Sequence, residues 1–211
     1  MKIRPEHEKA DPKAFYFAKD QEQLVERYDQ AAEVYDEAMS DDVGWCGHIE
    51  LAAVVARYVD GSAKLMDAGA GTGMLGDQLA RLGFDNMDAN DLSPGMLARA
   101  ASKNIYRDCQ VAELGLPIDY TDDTYDAVAV CGVFTPNHAP ASALNELVRV
   151  TKPGGLVLFT LRADETPVDF EPQMEMLTAA GVWELVEACE PFPSIESEPQ
   201  IRHRCWVYRV S

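Results

Sequence analysis

Apolar residues recur along this chain in two periods, and the change between them divides it. Over residues 21–39, QEQLVERYDQAAEVYDEAM sets Leu24, Tyr28, Ala31, Ala32 and Tyr35 at helical spacing, and Asp41, Asp42 and Gly44 end the pattern. Residues 47–59 predict a second helix, with Ile49, Leu51, Ala52, Val54, Val55 and Tyr58 along it and Asp60-Gly61 closing it. Residues 1–19 are polar, hold two prolines and show no period, so a frayed arm is expected there.

From Lys64 onward, short apolar runs alternate with helical stretches. Strands are predicted over 64–68, 84–90, 105–111, 125–131 and 156–161, and helices over 74–82, 94–103, 141–150 and 169–180. Two further strands, near 182–188 and 201–210, have no helix between them and should pair antiparallel. Strands alternating with helices give βαβ units, whose crossovers are right-handed. The fold expected is α/β, a doubly wound, mostly parallel seven-stranded sheet with an antiparallel last strand and an N-terminal helical lid. Residues 1–44 would supply arm and lid, and 45–211 the main domain.

Charge narrows the partners. The 211 residues carry 18 Lys plus Arg against 36 Asp plus Glu, a net −18. Nucleic-acid affinity comes largely from basic side chains displacing counterions, so nucleic acids and anionic membrane surfaces are disfavoured. The five cysteines form no Cys-x-x-Cys pair and the histidines do not flank them at ligand spacing, so neither a disulfide framework nor a metal site is expected. The charged start lacks a signal-like apolar stretch and no run of about 18 apolar residues exists, which points to a cytoplasmic protein. A monomer or homodimer is expected.

The sharpest chemical signal is Asp67-Ala68-Gly69-Ala70-Gly71-Thr72-Gly73, a strand end running through glycines into a helix. Glycines let the backbone turn tightly and approach a ligand, and the helix start offers unpaired N–H groups. Gly71 to Gly76 also satisfies G-x-G-x-x-G, the dinucleotide signature. Asp67, immediately before the loop, would repel a pyrophosphate but suit an ammonium group. Asp91, 20 residues after Gly71, could accept two hydrogen bonds from a ribose diol. Asp67 could also be a strand-end cap and Asp91 a helix cap, although Ser93 ahead of Pro94 already serves the second purpose. Acid at both strand ends fits S-adenosylmethionine, which carries an amine, a sulfonium and a ribose but no phosphate.

With these residues in place, the chain from Tyr28 to Leu161 resembles the class I S-adenosylmethionine-dependent methyltransferases. DAGAGTG is similar to the family's first motif, ANDLSPGMLARA to its second-strand motif, and YDAVAVCGVF with NELVRVTKPGGLVLF to its fourth and fifth strands. Within the family it looks most like the Williams–Beuren-region methyltransferase-like group, through YDQAAEVYDEA and VRVTKPGGLVLFTLR. The resemblance implies that Asp67 holds the methionine amine beside the backbone of Gly69 and Gly71. It implies that Asp91 binds the ribose and that Leu92 packs on the adenine. Ala112, Glu113 and Leu114 would edge the adenine ring, where the chain departs from the family's commoner Gly-Asp-Ala pattern. Cys131 would lie near the methionine portion, and Tyr28 would reach the cofactor from the lid.

The acceptor end is less explicit. No Asn-Pro-Pro-Tyr or Asp-Pro-Pro-Tyr run is present. His138, in Phe134-Thr135-Pro136-Asn137-His138, is the one candidate base, and a solvated loop histidine is the competing reading. Methyl transfer from a sulfonium is an in-line displacement, which positioning alone can accelerate. The activity expected is therefore methyl transfer to a small-molecule acceptor. The alternatives are a catalytically silent S-adenosylmethionine-binding module and, against Asp67, a NAD-dependent oxidoreductase.

Overall fold

Five parallel strands form the frame of the computed structural model, which describes residues 2–135 and 138–211, without the Tyr16 side chain. They are β1 (Leu65–Ala68), β2 (Met87–Asp91), β3 (Asp108–Val111), β4 (Tyr125–Val130) and β5 (Thr151–Arg162). Beyond them come β6 (Trp183–Ala188), the two-residue β7 (Phe192–Pro193) and β8 (Arg202–Val210). The sheet order is β3-β2-β1-β4-β5-β8-β6, with β7 paired to β8. Only β8 runs against its neighbours, pairing antiparallel with β5, β6 and β7. The expected seven strands become eight, because the proline-rich loop after residue 190 lays Phe192 and Pro193 beside His203 and Arg202. Proline has no N–H to donate to a ladder, which keeps this pairing short and at an edge.

Alternation along β4 feeds two cores. Tyr125, Val128 and Val130 face a layer built on α7 (Ala143–Val150) and α8 (Phe170–Ala179), with Leu144, Leu147, Phe170 and Met174. Ala127 and Ala129 face α4 (Gly47–Tyr58) and α5 (Met74–Arg81), with Leu51, Val55, Leu75 and Leu79. Helix α6 (Pro94–Ser102) lies over β2 and β3. Its start is capped as expected, with the Met96 N–H donating to Ser93 Oγ at 3.1 Å.

The N-terminal residues differ from the expected frayed arm. A 3-10 turn over Pro5–Ala10 and α1 (Pro12–Tyr16) pack down with Ala10 and Phe15 buried. The cause is specific pairing that no periodicity announces. His7 faces Asp42 at 2.8 Å, and the Phe15 ring stacks on Tyr28 with centroids 4.2 Å apart. The long helix expected over 21–39 is also divided, into α2 (Gln21–Ala31), the single turn α3 (Tyr35–Glu37) and a wide π-helical turn over Ala38–Val43. That break turns Tyr35 and Asp36 towards the sheet, where Thr72 Oγ1 donates to Asp36 and the Lys103 ammonium pairs with it at 2.8 Å. Strand β3 starts three residues later than expected, after Asn104 takes a left-handed φ of 56°.

Candidate functional site

In a parallel sheet of this order, the chain reverses direction of travel between β1 and β4, and ligands gather at the carboxyl ends of the strands there. A cavity of about 420 Å³ lies at that place. Asp67 comes from the end of β1, Asp91 from the end of β2, Ala112 to Leu114 from beyond β3, and Cys131 from beyond β4. Gly69 and Gly71 line it from the loop, Leu92 from beside α6, Tyr28 from α2 and His138 from the loop after β4. Every residue singled out in the sequence thus meets in one cavity. Pro136 and Asn137, beside His138, lie outside the described residues.

Asp67 is the most unusual of them. It is 1% exposed, and its Oδ2 accepts a hydrogen bond from the Tyr106 hydroxyl at 2.6 Å. Its Oδ1 has no hydrogen-bond partner. Burial pushes its pKa up to about 7, against the pull of the Tyr106 hydroxyl and the Gly76 N–H. A buried carboxylate with a free oxygen asks for a cation.

Asp91 is already engaged with the backbone. Its Oδ2 accepts from the Gly71 N–H at 2.7 Å and its Oδ1 from the Ser93 N–H at 2.8 Å. The expected alternative of a local cap is therefore real, and each oxygen keeps a second lone pair towards the cavity. Burial outweighs these donors and pushes its pKa up. Gly71 has φ +55°, and a Cβ built there would meet nothing within 4 Å. The loop presents bare backbone to open space.

At the other end of the cavity, the Tyr28 hydroxyl faces His138 Nε2 at 2.8 Å, and Thr135 Oγ1 faces His138 Nδ1 at 3.0 Å. A contact between the N-terminal helices and the loop after β4 is thereby built around the imidazole. Cys131 is a poor nucleophile here, since burial drives its pKa well above that of an ordinary thiol.

The family of methyltransferase domains matches residues 66–159, which span β1 to most of β5. Human methyltransferase-like protein 27 is 35% identical over 128 residues, covering 58% of this chain and 52% of the human protein. A demethylmenaquinone methyltransferase of Streptomyces avermitilis is 33% identical over 139 residues, covering 64% of this chain and 58% of that enzyme. The chain thus spans little more than half the length of these relatives. Among solved structures, a TehB-like SAM-dependent methyltransferase from Corynebacterium glutamicum has a TM-score of 0.62 and 23% identity, covering 89% of this chain and 98% of that one. Residues 66–159 thus match a methyltransferase domain, set in a fold shared with S-adenosylmethionine-dependent methyltransferases of known structure.

The cofactor of such domains is S-adenosylmethionine, and the residues present fit it. The partnerless Asp67 oxygen suits an α-ammonium group, and the open face of Gly71 leaves room where a side chain would intrude. The third glycine of the G-x-G-x-x-G run serves a different need. A Cβ on Gly76 would sit 2.0 Å from the Tyr106 hydroxyl, so this methyltransferase domain uses glycine there to admit the tyrosine that holds Asp67.

Several residues that build the cavity were not singled out by the sequence. Asn90 Oδ1 accepts from the Gly69 N–H at 3.0 Å and fixes the loop to β2. Asp29, next to Tyr28, accepts from the Gly95 N–H at 2.7 Å and ties α2 to the start of α6. His48 lines the cavity from the first turn of α4. Asn90 and Asp29 lay in stretches that the sequence had marked, ANDLSPGMLARA and YDQAAEVYDEA, but with no role of their own.

Proposed function

We propose that this protein transfers a methyl group from S-adenosylmethionine to a small-molecule acceptor. The observation that carries the reading is the buried Asp67 oxygen without a partner, placed beside an open glycine loop at the crossover of the sheet. Its named relatives, methyltransferase-like protein 27 and a demethylmenaquinone methyltransferase, support it.

In this reading Asp67 holds the amine, with the backbone of Gly69 and Gly71 alongside. Asp91 takes the ribose hydroxyls on its remaining lone pairs, and Leu92 covers one adenine face. Ala112, Glu113 and Leu114 edge the ring, and Cys131 stays a neutral thiol beside the methionine chain. When bound, the cofactor supplies a methyl group on a positively charged sulfur. The chain's own work is to align the acceptor with that group and to keep water out, for which Tyr28, which also reaches the cofactor, Tyr35 and Trp45 line the cavity. Good alignment converts a bimolecular encounter into an effectively unimolecular step. For an acceptor that releases a proton, His138 Nε2 is the candidate receiver, with the ring oriented by Thr135 and Tyr28. NAD is disfavoured, because Asp67 would meet its pyrophosphate.

One observation favours a second reading. His138 Nε2 is taken up by the Tyr28 hydroxyl, which suits a module that binds the cofactor without turning it over. Incubation with methyl-labelled cofactor and a small-metabolite extract separates the two. Labelled small molecules are expected. Cofactor binding with no transferred label across such extracts would favour the silent module.

A further inference from the structure

Two side chains that line the cavity are buried with a polar atom left without a hydrogen-bond partner. One is Asp67, through Oδ1; the other is His48, through Nδ1. His48 is 6% exposed and stands in the first turn of α4, which packs along α5. Leaving such an atom unsatisfied in the interior costs roughly 1–3 kcal/mol, which a ligand atom would recover.

The surroundings of His48 say which kind of atom. The charged groups that act on it are Asp36, Lys103 and Asp77. Asp36 accepts from Thr72 of the glycine loop, Lys103 pairs with Asp36, and Asp77 lies in the first turn of α5. His48 therefore stands beside the end of the glycine loop and the start of α5. That helix has Gly73 at its cap position in a left-handed conformation and no side-chain cap; the Gly76 N–H of its first turn acts on Asp67, and those of Met74 and Leu75 have no cap side chain to take them. Unpaired N–H groups at a helix start attract an anion. Burial pushes the His48 pKa down, and a neutral ring can still donate from Nδ1.

The cavity thus offers a partnerless acid oxygen at the end of β1 and a partnerless imidazole nitrogen by an uncapped helix start. We propose that His48, with the start of α5, receives the α-carboxylate of the cofactor while Asp67 receives its α-ammonium. The amino-acid half is then recognised as a zwitterion. This rests on the S-adenosylmethionine reading above and adds a specificity residue to it. An adenosyl sulfonium that keeps the base, ribose and amine but lacks the carboxylate should bind more weakly at this end.

Calorimetry on the full chain tests it, with S-adenosylmethionine and decarboxylated S-adenosylmethionine as the two probes. Wild-type protein should prefer the carboxylate form at least tenfold. His48→Ala should lose about tenfold on S-adenosylmethionine and nothing on the decarboxylated form, and His48→Gln, which restores an N–H donor, should recover part of the loss. An unchanged affinity, or an equal loss on both probes, overturns the assignment. If His48→Ala does not fold, ring-nitrogen NMR of His48 in the wild type decides instead. A shift of Nδ1 on adding S-adenosylmethionine but not the decarboxylated probe supports the proposal, and the same response to both contradicts it. Wild-type protein that binds neither probe would overturn the cofactor reading and this one together. Binding without discrimination would overturn this one alone.

Discussion

Asp67 turns the site into a titrating element. Its carboxyl has a pKa of about 7 in the folded chain against an ordinary 3.8, chiefly because burial disfavours the charged form. The unfolded chain therefore loses this proton first, and between about pH 4 and pH 7 the folded state binds more protons. Stability falls as pH rises through that window, by up to roughly 4 kcal/mol from this group. A bound ammonium reverses the preference, so affinity for S-adenosylhomocysteine should rise several-fold between about pH 6 and pH 7.5. Calorimetry across that range checks it, and Asp67→Asn should flatten the profile. Asp91→Ala should weaken the same binding at least tenfold, since charge-assisted hydrogen bonds are worth roughly 1.5–3 kcal/mol each. Part of that loss would come through the Gly71 N–H, which Asp91 anchors at 2.7 Å. Asp67 was legible because a strand end followed by glycines fixes where it points, and Asp91 because it ends the next strand, 20 residues after Gly71. The roles of Tyr106 and Asn90 were not, because they come from partners brought near only by the folded sheet, as Tyr106 is to Asp67, 39 positions away.

At the scale of elements, the segment from α2 to the π-helical turn lines one wall of the cavity, and three of its ties reach the elements around that cavity. These are Tyr28 to His138, Asp29 to the Gly95 N–H, and Asp36 to Thr72 and Lys103. Its own core is small, built on Phe15, Leu24, Ala31 and Met39 with Met96 of α6. Short helices with a narrow apolar face are marginal alone. Amide exchange over residues 21–45 should slow when S-adenosylhomocysteine is added, and Asp29→Ala should speed it without cofactor. Equal protection in both states would make this a fixed wall and not a lid. The strand–helix alternation of the main domain was legible because each element carries its own period. The N-terminal packing was not, because it depends on an aromatic stack, on ion pairs of Arg4 with Asp41 and Asp42, and on the His7 contact with Asp42.

The whole molecule carries a net −18, and the few basic residues near its end are tied up locally. Arg202 donates to the Pro191 carbonyl, Arg204 lies over the Trp206 ring at 5.5 Å, and Arg209 donates to the Gly154 carbonyl. His203 is buried against Ser194, and burial brings its pKa down to about 4. Strand alternation puts Arg202 and Arg204 on the face opposite His203, and these side chains form no track for a polyanion. Methyl-labelled cofactor should therefore mark small molecules in a metabolite extract and leave total RNA and DNA unlabelled. Among the described residues no helix is long and apolar enough to cross a membrane. Beneath all of this lies the claim that the cavity is built for an adenosyl amino acid. Calorimetric titration of the wild-type chain with S-adenosylhomocysteine, beside NAD, tests that claim most directly. One site that binds S-adenosylhomocysteine and gives no heat with NAD is the expected result; binding of NAD without S-adenosylhomocysteine would contradict it.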